Sequence, residues 1–270
     1  MKTAHSIREM MRAGQATVGS WLQFPSADVA EALSACGYDW VAVDMEHGAF
    51  TRALLPDVFR AIERGGALPF ARVAEADMRS LKAALDSGAQ GIIFPMIESR
   101  EQLDRAISFC LYPDGGGARG VGYSRANLYG RDFDVYREGA ARDVLLVAQI
   151  EHVRAVRALD EILTHPRLDA IMVGPYDLSG SLGLTGQFDH PEFTATMDRI
   201  NAACRQHNMI MGAHVVQPDP AQLARCVADG YRFIAYGIDA VFLMRGAERP
   251  ALPGVRAGST ASGRRTEGNK

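Results

Sequence analysis

The sequence predicts an α/β fold, a (β/α)8 TIM barrel, and three observations carry that reading. Short apolar runs alternate with helical stretches eight times within the first 245 residues, a length at which such a barrel closes. The runs are nearly continuous in Val, Ile, Leu and Ala, without a polar alternate face, as strands of a helix-covered parallel sheet should be. The segment GSWLQFPS in and after the first run holds no GxGxxG, which the competing open doubly wound sheet would place there.

The first strand is TVGSWL, residues 17–22, and Ser26 is placed as the N-cap of a helix over 27–33. WVAVD at 40–44 precedes a helix around 53–64, and LPFARV at 68–73 precedes one starting at Asp77. GIIFP at 91–95 leads to a helix from Ser99, where Ser99 and Gln102 have the S-x-x-Q spacing of a capping box. The remaining strands are DVLLVAQIE at 143–151, LDAIMVGP at 168–175, MIMGAHV at 209–215 and YRFIAYG at 231–237.

Two segments break the repeat. Residues 112–130, YPDGGGARGVGYSRANLYG, form a long Gly-rich loop before strand five, too long for an ordinary connector. Residues 246–270 are rich in Gly, Pro, Ser and Arg with scattered apolar residues, which predicts a disordered tail after a barrel domain over 1–245.

Composition narrows the function classes. Lys plus Arg number 29 against 32 for Asp plus Glu, a net charge of −3, so no general basic field points to nucleic acid. No apolar run approaches the roughly 20 residues of a membrane-spanning helix, and the N-terminus lacks the apolar stretch of a secretory signal. These features lead us to expect a soluble cytoplasmic protein without membrane or nucleic-acid partners. The four cysteines lie far apart with no CxxC pair, the pattern of buried thiols.

In such a barrel the chemistry comes from the C-terminal ends of the strands. There strand two ends in Asp44-Met45-Glu46-His47-Gly48, strand three in Arg72, strand five in Gln149-Ile150-Glu151-His152 and strand six in Gly174-Pro175-Tyr176-Asp177. Gln149 and Glu151 are two apart and share a strand face, with Ala148 and Ile150 on the other. Glu151 and Asp177, on adjacent strands, could offer two oxygen ligands to Mg2+ or Mn2+, or could instead cap the helices that follow them. Arg72 could stabilise a developing enolate, or pair with Glu46 or Asp44. His47 beside Glu46 and near Asp44 has the composition of a base held by a carboxylate, although a lone His is more often structural. The Gly-rich stretch follows a helix rather than a strand, so it is not a nucleotide loop.

These segments resemble the HpcH/HpaI aldolase family, metal-dependent class II pyruvate aldolases within the phosphoenolpyruvate/pyruvate barrel superfamily. The resemblance spans about residues 6–245 through GSWLQ, GYDWVAVDMEHG, ARV, GAQGIIFPMIES, RGVGYSRA, QIEH and GPYDLSGSLGLTGQ. It implies that Glu151 and Asp177 hold a divalent metal (Mg2+, Mn2+ or Co2+) and that Arg72 binds the keto oxygen of a 2-oxo acid. It further implies that His47 and Asp44 form a proton-transfer pair and that Gln149 orients substrate or a metal-bound water. The main chain of Gly174, Pro175, Tyr176 and Asp177 is implied to hold the substrate carboxylate. It also implies a homo-oligomer, a trimer or hexamer, often with exchanged C-terminal helices.

The expected activity is cleavage or formation of 4-hydroxy-2-oxo acids, giving pyruvate or a related 2-oxo acid plus an aldehyde. Only Lys2, Lys82 and Lys270 occur, and Lys82 lies in a helical pattern, so an imine-forming aldolase is disfavoured. The alternatives are a condensing transferase on the same scaffold, citrate-synthase-like, and a keto-acid-binding barrel without catalysis. The chain departs from better-known members in MetGluHisGly, where many have GlyGluHisAla, and in the Gly-rich loop. Both departures are expected near the acceptor side.

Overall fold

The computed structural model describes residues 2–247. Helix α1 (Ala4–Arg12) leads into β1 (Thr17–Leu22), α2 (Ala27–Ala35), β2 (Trp40–Asp44) and α3 (Leu55–Gly65). β3 (Leu68–Arg72), α4 (Met78–Ser87), β4 (Gly91–Phe94) and α5 (Arg100–Ser108) follow. Two 3-10 turns, Pro113–Gly115 and Arg125–Gly130, precede α6 (Phe133–Gly139) and β5 (Leu145–Ile150). α7 (Val153–Arg157), α8 (Leu159–Leu163), β6 (Ala170–Val173), α9 (Pro175–Ser181) and α10 (Pro191–Gln206) come next. β7 (Ile210–Val215), α11 (Pro220–Ala228), β8 (Phe233–Ile238) and α12 (Asp239–Gly246) complete the described chain. The eight strands are parallel and close in sequence order, so the expected (β/α)8 barrel is what forms. The expected disordered tail lies outside the described residues from 248 onward.

Local signals act where the sequence places them. Ser26 and Asp77 accept from the main-chain N–H three residues on, starting α2 and α4. Ser99 likewise caps α5, but the reciprocal half of the expected capping box goes elsewhere. The Gln102 side chain accepts from the Glu98 N–H and donates to the Met96 carbonyl, fastening the loop after β4 instead.

Side chains alternate between two cores, as the period of a strand requires. Val41, Val43, Ala71, Ile92, Phe94, Leu146, Ala148, Ile150 and Ile171 pack outward against helices. Trp40, Ala42, Leu68, Phe70, Ile93, Val147, Met172 and Phe233 fill the barrel, joined by Ala4, Ile7 and Met11 of α1. Helix α1, absent from the sequence reading, thereby plugs the N-terminal end of the barrel. Arg8 anchors it by pairing with Asp169 at 2.6 Å. Trp40 stacks on Phe233 at 4.2 Å between centroids, and Gly19 makes room: a Cβ there would stand 2.0 Å from the indole. With the lower barrel solid and apolar, inward polar side chains collect at the C-terminal mouth.

The Gly-rich loop sits at the opposite end of the barrel from that mouth, which corrects the expectation that it borders the acceptor side. It follows a helix, and helices of this fold end where strands begin. Arg119 pairs with Asp86 and Arg125 reaches Glu63 and the Ser87 carbonyl, all at the C-terminal ends of α3 and α4. Of the four free cysteines, Cys110 and Cys204 are buried as expected, whereas Cys36 is exposed. No helix among the described residues is long and apolar enough to cross a membrane.

Candidate active site

Parallel register sets Asp44 directly opposite Arg72 at the ends of β2 and β3. The pair is a two-pronged ion pair, Nε to Oδ1 at 3.0 Å and Nη2 to Oδ2 at 2.8 Å, with the Asp44 residue 0% exposed. Gln23 donates to the same carboxylate at 3.0 Å, and the main-chain N–H groups of Glu46 and His47 donate at 3.2 and 3.1 Å. Burial works to raise the Asp44 pKa, but the Arg72 bonds and charge, with Gln23 and the His47 amide, hold it below the ordinary value. Arg72 also pairs with Glu46 at 3.2 Å. That contact falls short of offsetting burial at Glu46, whose pKa stays raised.

This geometry revises the expected Asp44–His47 pair. Asp44 binds the amide of His47, not its imidazole, and spends its oxygens on Arg72 and Gln23. The His47 residue is exposed, and its ring makes no hydrogen bond among the described residues. Gly48 has a local cause: a Cβ there would stand 2.3 Å from the Asp44 carbonyl oxygen.

Across the mouth, Glu151 follows β5 and is 2% exposed. It accepts from the Met96 N–H at 2.6 Å and from Gln149 Nε2 at 2.7 Å. Burial, helped by the negative charges of Glu46 and Asp177 and opposed by the Met96 bond and Arg72, pushes its pKa up to about 7. Glu151 does not cap the next helix; His152 does, through Nδ1. Asp177 stands exposed in the first turn of α9 with no side-chain hydrogen bond to the described residues. The Gly174 N–H is taken by the Ile150 carbonyl, Pro175 has none, and Leu178 is the first amide to bond back along α9. Of the four expected main-chain contacts, only Tyr176 and Asp177 keep amides ahead of the helix ladder.

The donor set fits a hard divalent cation. Glu151 is buried with a raised proton affinity to which the negative charge of Asp177 contributes, and Gln149 Oε1 is buried without a partner among the described residues. Among the described residues no group of three or more His, Cys, Asp or Glu is assembled for a metal, so Glu151 and Asp177 would leave most positions to water and substrate. Gly174 shapes this corner, because a Cβ there would stand 2.4 Å from Glu151 Oε2 and 2.9 Å from its Cβ. Gly174→Ala should therefore weaken Mn2+ affinity by roughly 10- to 100-fold in titration calorimetry. Unchanged affinity would remove Glu151 from the ligand set.

Residues 17–245 match the profile of the HpcH/HpaI aldolase/citrate lyase family. The chain belongs to that family. It is 35% identical over 250 residues to the 2-dehydro-3,6-dideoxy-6-sulfogluconate aldolase of Pseudomonas putida, covering 92% of this chain and 97% of that one. It is 36% identical over 245 residues to the hydroxypyruvate/pyruvate aldolase of Paraburkholderia phytofirmans, covering 88% and 93%. The crystal structure of a family protein from Burkholderia cenocepacia J2315 superposes with a TM-score of 0.84 at 33% identity, covering 89% and 95%. The protein is thus an enzyme of the aldolase kind, a carbon–carbon lyase.

Several residues of the mouth escaped the sequence reading as individuals. Trp21 lies under the Arg72 guanidinium at 4.5 Å from its ring centroid. His214, near the end of β7, packs edge-on to Trp21 at 5.6 Å. Asp239 accepts from the amides of Gln23 and Phe24 at 2.9 and 2.8 Å, pinning the loop after β1. Each sits at or just beyond a strand's C-terminal end, the signal that found Arg72 and Glu151.

Proposed function

We propose that this mouth is the active site of a divalent-metal-dependent, class II aldolase that cleaves or forms 4-hydroxy-2-oxo acids, yielding pyruvate or a related 2-oxo acid plus an aldehyde. The observation that carries the reading is the fixed guanidinium of Arg72, aimed by Asp44 beside two carboxylates suited to a cation. Glu151 and Asp177 would hold Mg2+, Mn2+ or Co2+, which when bound supplies Lewis acidity toward the carboxylate and keto oxygens of the substrate.

The protein's own groups divide the rest of the work. Arg72 binds the keto oxygen and stabilises the negative charge that grows there as the C3–C4 bond breaks. Its charge is permanent, so it needs no proton from solvent to do so. Gln149, held by Glu151 through Nε2, turns Oε1 toward substrate or a bound water. The amides of Tyr176 and Asp177 face the substrate carboxylate. The His47 ring, free of hydrogen bonds among the described residues, takes the 4-hydroxyl proton directly or through water; the aldehyde leaves, and a proton delivered to C3 completes pyruvate. Asp44 serves this step by aiming Arg72 and fixing the His47 main chain. Among the described residues an imine route has no lysine amine at the mouth: Lys82 abuts Gly120 at the far end, and Lys2 pairs with Asp39 and the Tyr38 carbonyl.

His47→Ala should leave oxalate affinity within a few-fold of wild type while turnover of a 4-hydroxy-2-oxo acid falls by about 10²- to 10⁴-fold. Unchanged turnover would move the proton transfer to a water held by Gln149. The reading as a whole is tested by incubating the enzyme with pyruvate, Mn2+ and a panel of aldehydes and identifying adducts by mass. Adducts that disappear with EDTA and return with Mg2+, Mn2+ or Co2+ are expected. Undiminished adducts after exhaustive chelation, or inactivation by borohydride with pyruvate, would overturn it.

A further inference from the structure

Within the mouth, His214 has no part in the mechanism so far, yet its surroundings are distinctive. Its Nε2 is buried with no hydrogen-bond partner among the described residues, and so is Nε1 of Trp21, the ring it packs against. One is an acceptor in the neutral imidazole and the other can only donate. Burial and Arg72 repulsion, only partly offset by Asp44 and the Gly237 main chain, push the His214 pKa down to about 4, so the ring is uncharged at neutral pH. Those groups on β3, β2 and β8 are the ones that act on it. The indole that His214 abuts is the surface under the Arg72 guanidinium.

We propose that His214, acting through Trp21, is a positioning residue for Arg72: its imidazole packs edge-on against the indole and keeps the indole face under the guanidinium. Asp44 fixes Arg72 in its own plane through two bonds, and Glu46 takes a third nitrogen. None of these restrains motion out of that plane; the Trp21 face does. An aliphatic side chain at 214 would fill the space but lose the edge-on aromatic contact with the indole and offer its N–H no acceptor. A cation there would push Arg72 away.

The inference rests on the proposed enolate chemistry, so its test uses a step that needs no aldehyde, exchange of the pyruvate methyl protons with D2O followed by NMR in the presence of Mg2+. His214→Leu should slow exchange about tenfold or more with little change in oxalate affinity, whereas His214→Gln, which keeps a neutral acceptor, should stay within about threefold. In an Arg72→Lys background His214→Leu should have almost no further effect, because the group it positions is gone. A structural role would instead add its full loss in both backgrounds, and that additivity would overturn the inference. So would a leucine variant as fast as wild type. A second readout does not need activity: the His214 ring should titrate near pH 4 in the wild type and higher in Arg72→Gln, and an unmoved titration would deny the contact. Absence of any exchange in metal-replete wild type would fall on the proposed function itself, and the positioning role would fall with it.

Discussion

Arg72→Lys should lower turnover by roughly 10²- to 10³-fold, the scale of losing one preorganised donor to a developing oxyanion. Lysine keeps the charge but cannot form the two-pronged contact with Asp44, reach Glu46 at the same time and lie flat on Trp21. Arg72→Ala should also unfold more easily, since removing one partner of a buried ion pair costs about 3–5 kcal/mol. The pH dependence has a definite sign. In the wild type the Asp44 pKa is depressed, so its stabilisation is present above the unfolded value and is lost as pH falls through the folded one. Without Arg72 the carboxylate has burial against it, so the gap in thermal midpoint between variant and wild type should be large at pH 7 and shrink toward pH 4. Near wild-type turnover in Arg72→Lys would reduce Arg72 to a structural salt-bridge partner.

Glu151→Gln should abolish metal-dependent activity and yet stabilise the metal-free protein at alkaline pH. The Glu151 pKa rises from 4.5 to about 7, so ionising it in the fold costs stability that increases as pH climbs through that window and is full above it. The shift corresponds to about 3 kcal/mol at pH 8 before relaxation. The amide can still accept from Met96, and Gln149 can turn its unpartnered Oε1 toward the new NH2 group. In EDTA at pH 8 the variant should therefore melt several degrees higher than wild type. Mg2+ should then raise the wild-type midpoint and leave the variant's unchanged. A variant that melts lower in EDTA, or that Mg2+ still stabilises, would contradict the placement of the cation at Glu151.

The barrel was legible because its strands are apolar on both faces, and WVAVD and LLVAQI can be little else. Strand ends were equally legible: Arg72, Gln149, Glu151 and Asp177 all stand at the mouth because chain direction alone puts them there. What could not be read was partnership across strands. Whether Asp44 would hold the imidazole of His47 or the guanidinium of Arg72 depends on register, and register places Asp44 opposite Arg72. The same holds for Glu151, whose bond to the Met96 amide comes from the neighbouring loop after β4. Helix α1 was missed because its apolar stripe, Ala4, Ile7 and Met11, is only three residues in a polar segment. The Gly-rich loop could have been placed from its position after a helix, which in this fold means the N-terminal end.

The most direct measurement is the exchange of pyruvate methyl protons with D2O by the metal-replete protein, because it isolates formation of the enolate that Arg72, Glu151 and Asp177 are assigned to support. We expect rapid exchange with Mg2+ or Mn2+, loss of exchange in EDTA, recovery on adding the cation back, and rates at least about 10²-fold lower in Arg72→Lys and Glu151→Gln. Exchange that persists at full rate after complete chelation, or that survives in Glu151→Gln, would contradict a divalent-metal aldolase site at this mouth.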